Sequence, residues 1–175
     1  DLYVQRSDGT GLRQVTSDAA RDRVPRWSPD GTWIACFSDR SGRLELWKIR
    51  PDGSDLQQLT EGGGSYLAWS PDASRMAAVH AIEGPARKAG VWIFDPNRPW
   101  KQQTPEELPP LESPSARFLV NSWSPDGERL VGEVLGHGIA TYSLRSRTYE
   151  RLTDFGEWPV WLPDSRRVLF VANGN

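Results

Sequence analysis

The sequence predicts an all-β chain of the propeller class, built from four-stranded antiparallel blades, and three observations predict it. The phrase Trp-(Ser/Leu)-Pro-Asp occurs four times, as Trp27-Ser-Pro29-Asp30, Trp69-Ser-Pro71-Asp72, Trp123-Ser-Pro125-Asp126 and Trp161-Leu-Pro163-Asp164. The intervals of 42, 54 and 38 residues between these tryptophans match the length of a four-stranded blade better than that of a helical hairpin. Glycine and proline are abundant, 16 and 14 in 175 residues, so turns are frequent and long helices have little room. Nine tryptophans are also more large rings than a chain of this size places without a recurring architectural slot.

Each element follows from local pattern. After every tryptophan phrase comes a short apolar or alternating run: 32–37, 75–79, 129–134 and 167–171. These runs read as strands. The Ser-Pro-Asp-Gly link suits a type I turn, because proline presets φ, aspartate fits the next position and glycine takes the exit; Ala73 and Ser165 weaken it. A second strand-turn-strand unit recurs between the phrases. It runs from Leu2 to Thr16, from Leu44 to Thr60, from Val91 to Thr104 and from Ala140 to Thr153, with threonine intervals of 44, 44 and 49.

If strands are lettered a to d outward from the axis, the tryptophan phrase ends strand a and the threonine ends strand d. The chain then opens with c and d, runs through three whole blades and closes with a and b. It reads as a single propeller domain or propeller fragment, 1–175, with terminal half blades 1–16 and 157–175. This count of about four blade equivalents permits three arrangements. They are a four-bladed ring closed by pairing the two halves, half of an eight-bladed ring completed by a second chain through the terminal strands, and an excerpt of a larger propeller. Closure would remove exposed sheet edges. A two-sheet sandwich would use similar strands but has no need for the tryptophan phrase at one phase of each unit.

Composition excludes several classes. Charged residues at 25% and a net charge of -2 describe a globular chain rather than a disordered one. The 21 basic residues are offset by 23 acids with no basic stripe, so no nucleic-acid partner is expected. No apolar run is long enough for a membrane helix, and membrane insertion is not expected. The single Cys36 permits no intrachain disulfide and reads as a small buried hydrophobe. No signal peptide is visible, and the chain starts at Asp1, as a processed or excised fragment would.

The four phrases resemble the WD40-like, or PD40, repeats of TolB-type β-propellers over nearly the whole chain. Trp27 to Gly31 and Trp123 to Gly127 fit the repeat fully; Ala73, Leu162 and Ser165 depart from it. The resemblance implies structural roles for the repeat residues and supplies no catalytic residue. It implies a periplasmic or other extracytoplasmic location, and relatives that contact envelope proteins or flank prolyl-oligopeptidase-like peptidases without catalysing reactions themselves.

Function is expected on loops. Antiparallel order brings every b-to-c and d-to-a connection to one face, and two of these connections are long: 81–90 and 105–116. Long loops on a rigid scaffold are frequent recognition sites. The first carries Glu83, Arg87 and Lys88; the second carries Glu106, Glu107, Leu108, Leu111 and Glu112, its leucines read as exposed contact area. Arg40, Arg43 and His137 occupy other b-to-c connections. A protein partner is therefore the expectation, with substrate gating for a peptidase or glycan and small-ligand binding as alternatives. The phrase aspartates lie in separate blades and follow no calcium-loop pattern. His80 and His137 lack metal spacing, and no Gly-x-Ser-x-Gly elbow or phosphate loop occurs. No metal, cofactor or catalytic residue is expected.

Overall fold

In the computed structural model, which describes residues 1–81, 89–111 and 116–172, the strands form five antiparallel sheets. The first is a ribbon of β1 (Tyr3–Val4) and β2 (Arg13–Gln14). Three complete blades follow. They are β3 (Asp22–Trp27), β4 (Ile34–Ser38), β5 (Glu45–Ile49) and β6 (Gln57–Gln58); then β7 (Ser65–Trp69), β8 (Met76–Ala81), β9 (Ala89–Phe94) and β10 (Glu106–Glu107); then β11 (Phe118–Trp123), β12 (Arg129–Val134), β13 (Ile139–Ser143) and β14 (Thr148–Arg151). A last ribbon pairs β15 (Glu157–Trp161) with β16 (Val168–Val171). Among the described residues the two ribbons are separate sheets and do not pair with each other. The single-chain clasp, one of the three arrangements the sequence permits, is thus not the one this structure adopts.

The core lies between blades. Ala35 and Phe37 of β4 pack with Leu67 and Trp69 of the next blade. Ala77 and Val79 of β8 meet Leu119 and Trp123, and Val131 of β12 meets Trp161. Alternate residues of each b strand therefore face the following blade, which is the period-two pattern used between stacked sheets. Cys36 is fully buried among Leu2, Ile34 and Ile49, and burial pushes its thiol up to about 12, with the Asp22 charge adding to the effect. It behaves as a hydrophobe, as its apolar run suggests.

Each phrase closes its turn through side chains. Ser28 Oγ donates to Asp30 Oδ1 at 2.5 Å and accepts from the Trp33 N–H at 2.9 Å. The same pair of bonds recurs at Ser70 and at Ser124. In the fourth phrase Leu162 replaces that serine, and Asp164 accepts instead from the Arg166 and Arg167 N–H groups and from Arg167 Nε. Gly31 and Gly127 take φ of 70° and 78° at the turn exit; Ala73 and Ser165 are held at 59° and 55°, a region that costs non-glycine residues stability.

The threonine repeat is reassigned in one blade. Thr16, Thr60 and Thr153 accept the N–H of Leu2, Leu46 and Ile139 in their c strands, tying d to c. The preceding residues Val15, Leu59 and Leu152 donate to the same three c-strand carbonyls. In the second blade the equivalent donor is Leu108, to Val91 O at 2.9 Å. Pro109 therefore occupies the threonine position, not Thr104. The cause is a short 3-10 helix, Trp100–Gln102, inserted before β10, which moves strand d later in the chain.

Candidate functional site

Strands a and c start from one face of the arc and strands b and d end there, so that face carries connections 17–21, 39–44, 61–64, 135–138 and 152–156. The phrase turns lie on the opposite face. Asp30 and Asp72 are spent on their own turns, where hydrogen bonds from Ser28 and Ser70 lead the interactions that hold their carboxyls below the ordinary value, Asp72 at about 2.

Several sequence candidates belong elsewhere than on a recognition surface. Leu108 is only 5% exposed and Leu111 packs on the same core cluster, so neither supplies free contact area. The reason is the late strand d, which turns 106–107 into β10 and folds Leu108 inward. Glu106 pairs with Ile93 near the turn face and forms an ion pair with Arg147 of the next blade's c-to-d turn; it does not join the loop face. Glu107, paired with Trp92, is likewise an outer-strand residue.

Arg40 is committed internally. It bonds Asp18 at 2.7 Å and Asp22 at 2.8 Å, donates to Ser38, and covers Trp47. Burial alone would raise the Asp22 carboxyl; bonds from Thr16, Ser38 and Arg40 bring it below its ordinary value. This network fastens the 17–21 connection to strand b, and its guanidinium is not presented to a ligand. Arg43 and His137 are exposed on connections of the loop face. His80 is buried against Trp92, its ring 4.2 Å away and nearly parallel, with Nε2 3.2 Å from Glu61 O. Glu83, Arg87, Lys88 and Glu112 lie outside the described residues.

The loop face also presents apolar side chains. Leu135 and Phe155 are more than half exposed. Gly138 holds their two connections together: a Cβ there would stand 2.4 Å from Thr153 O and 2.5 Å from Phe155 N, so the b-to-c turn rests directly on the d-to-a segment. Neither residue stands out in sequence, since each sits in a short connection without a motif.

Nearer the axis the innermost strands approach one another, β7 against β11 and β11 against β15. Each is interrupted by a bulge in the same place. The unpaired residues are Val24 and Pro25, Tyr66, Asn121, and Trp158 and Pro159, each two or three before the phrase tryptophan. Bulges re-aim side chains and recur at the rims of closed sheets. Val24, Tyr66 and Trp158 adopt φ of 51°, 49° and 55°, unusual for bulky residues. Tyr66 and Trp158 stack with centroids 6.1 Å apart, one on each side of β11. Glu133 Oε1 accepts the Trp158 N–H at 2.8 Å.

Among the described residues no cluster of three or more His, Cys, Asp or Glu could hold a metal ion, and no helix is long and apolar enough to cross a membrane. A groove of about 400 Å³ is lined by Arg75, Phe94, Arg98, Gln103 and Glu106. Its charges are largely committed, Arg98 to Asp95 and Arg75 to the Trp123 ring.

This arrangement of blades matches known structures. The structure of TolB from Acinetobacter baumannii superposes with a TM-score of 0.79 at 18% identity, covering 99% of this chain and 43% of that one. The fold is TolB-like. An oligogalacturonate lyase in complex with manganese superposes with a TM-score of 0.67 at 15% identity, over 94% of this chain and 48% of its own. In sequence, the uncharacterized peptidase YuxL of Bacillus subtilis is 30% identical over 181 residues, 99% of this chain and 25% of that protein. The TolB-like chain thus spans about a quarter of that relative and about half of each of those structures. No protein-family model matches it.

Proposed function

We propose that this chain is a non-catalytic recognition segment of a β-propeller, whose loop face receives a protein partner outside the cytoplasm. The observation that carries the reading is the joined pair of connections at Gly138, each of which carries an apolar side chain more than half exposed, Leu135 in one and Phe155 in the other. Exposed apolar groups held on a scaffold and rimmed by charge have the anatomy of a protein-binding surface. The extracytoplasmic part of the proposal rests on the TolB likeness. A photo-crosslinking residue at Phe155 tests it, compared with one at Thr32 on the turn face. Adducts specific to position 155 that disappear in Leu135→Glu are expected; equal labelling of both faces rejects the reading.

The likeness to YuxL supports a second reading, in which the partner is the catalytic domain of a peptidase and the face gates its substrate. Crosslinks from position 155 would then map to a peptidase domain, and adding the segment would change that domain's substrate-size preference.

A further inference from the structure

Resting on that reading, we infer that the axial edge of the loop face, formed by Tyr66, Trp158, Asn121, Glu133 and Glu157, takes the guanidinium of an arginine side chain from the protein partner. Three independent features converge there. Two aromatic faces, Tyr66 and Trp158, stand 6.1 Å apart and 23° from parallel, with Trp158 half exposed. A planar cation can lie against the exposed part of the Trp158 face at a contact of about 3.5 Å, at the edge of the Tyr66–Trp158 stack. A cation over such faces is attracted by the ring quadrupole, and arginine stacks where ammonium does not.

Negative charge forms the second feature. Glu133 is fixed beneath Trp158 by its backbone bond, and burial first, then the Glu133 and Glu157 charges, raise the Tyr66 hydroxyl above its ordinary value. Both charges acting there are carboxylates, which complement a cation. The third is an acceptor without a donor. Asn121 Oδ1 is buried and has no hydrogen-bond partner among the described residues, and Asn121 is the bulge residue of the strand between the two rings. A guanidinium carries five N–H donors in a fixed fork, enough for an amide oxygen and a carboxylate while its plane contacts the Trp158 ring.

The test titrates the ¹⁵N-labelled protein with acetyl-arginine amide and with acetyl-citrulline amide, its neutral isostere, and reads the Trp158 indole N–H resonance. That resonance is assigned by its loss in Trp158→Leu, and binding by this variant is read from the Tyr66 backbone amide. The arginine probe should shift the resonance saturably, with the citrulline probe about ten-fold weaker. Glu157→Gln should weaken the arginine probe about three-fold, and Trp158→Leu should abolish its effect on Tyr66. Equal binding of the two probes, or arginine binding unchanged in Trp158→Leu, overturns the inference. Probe binding without protein crosslinks at position 155 would retain the cation site while rejecting the protein-partner reading. Crosslinks without probe binding would do the reverse.

Discussion

Trp27 and Trp69 hold the same place in the same phrase, yet Trp27 is 49% exposed and Trp69 is 9%. Their own blades do not explain this, since both end an innermost strand at a closely similar turn. The difference is the neighbour. Trp69 lies on Ala35 and Phe37 of the preceding b strand and donates its indole N–H to Arg26 O at 3.3 Å. Before Trp27 the chain offers only β1 and β2, outer strands without an a or b strand beside them. Trp123 and Trp161, at 6% and 9%, rest on b strands as Trp69 does. The phrase thus specifies a turn locally, while burial of its ring is conferred by the blade before it, as expected of repeats whose stability resides in nearest-neighbour interfaces.

The largest effect expected from this contrast is at the buried ring. Trp69→Ala should cost about 3–5 kcal/mol in chemical denaturation, and Trp27→Ala less than about 1 kcal/mol. Similar losses at both sites would break the comparison. Next come two glycines in one turn. Gly138→Ala drives a Cβ into the backbone of residues 153–155 and should cost more than about 2 kcal/mol. Gly136, at φ 74° with open space around it, should lose only about 1 kcal/mol on the same change.

Smaller still, Ala73→Gly relieves a φ of 59° and should stabilise the chain by about 0.5–1 kcal/mol. Ser165→Gly should gain less, because Ser165 Oγ accepts the Asp126 N–H at 3.0 Å. The smallest effect is on acidification. Asp72 and Asp164 are held at about 2, Asp72 chiefly by Ser70 and Asp164 chiefly by the Arg166 N–H. A carboxyl depressed on folding stabilises the native state above its unfolded value and loses that contribution as pH falls. Stability should therefore decline between about pH 4 and pH 2, and Asp72→Asn should flatten the decline in acid titrations of unfolding.

Much of the fold was legible because its signals are local. The Trp-Ser-Pro-Asp phrase encodes its own turn bonds, and the short apolar runs in 32–37 and 129–134 encode strands buried on both faces. Strand d of the second blade was misplaced because Glu106–Glu107 has no β pattern and Thr104 imitates the repeat threonine. The candidate site was less legible for the same physical reason that separates Trp27 from Trp69. Whether Leu108 faces water, or Arg40 meets acids of its own chain, depends on neighbouring segments. The bulge at Tyr66 has no signature in residue type, whereas those at Val24 and Trp158 contain Pro25 and Pro159, a residue that sheets admit at bulges.

Hydroxyl-radical footprinting with peptide mass spectrometry tests the central claim most directly, because it reads the four phrase tryptophans together in one unaltered chain. At dilute concentration Trp27 should oxidise several-fold faster than Trp69, Trp123 and Trp161, following their exposures of 49%, 9%, 6% and 9%. Protection of Trp27 equal to that of the other three would contradict the claim that each ring is buried by the preceding blade's b strand.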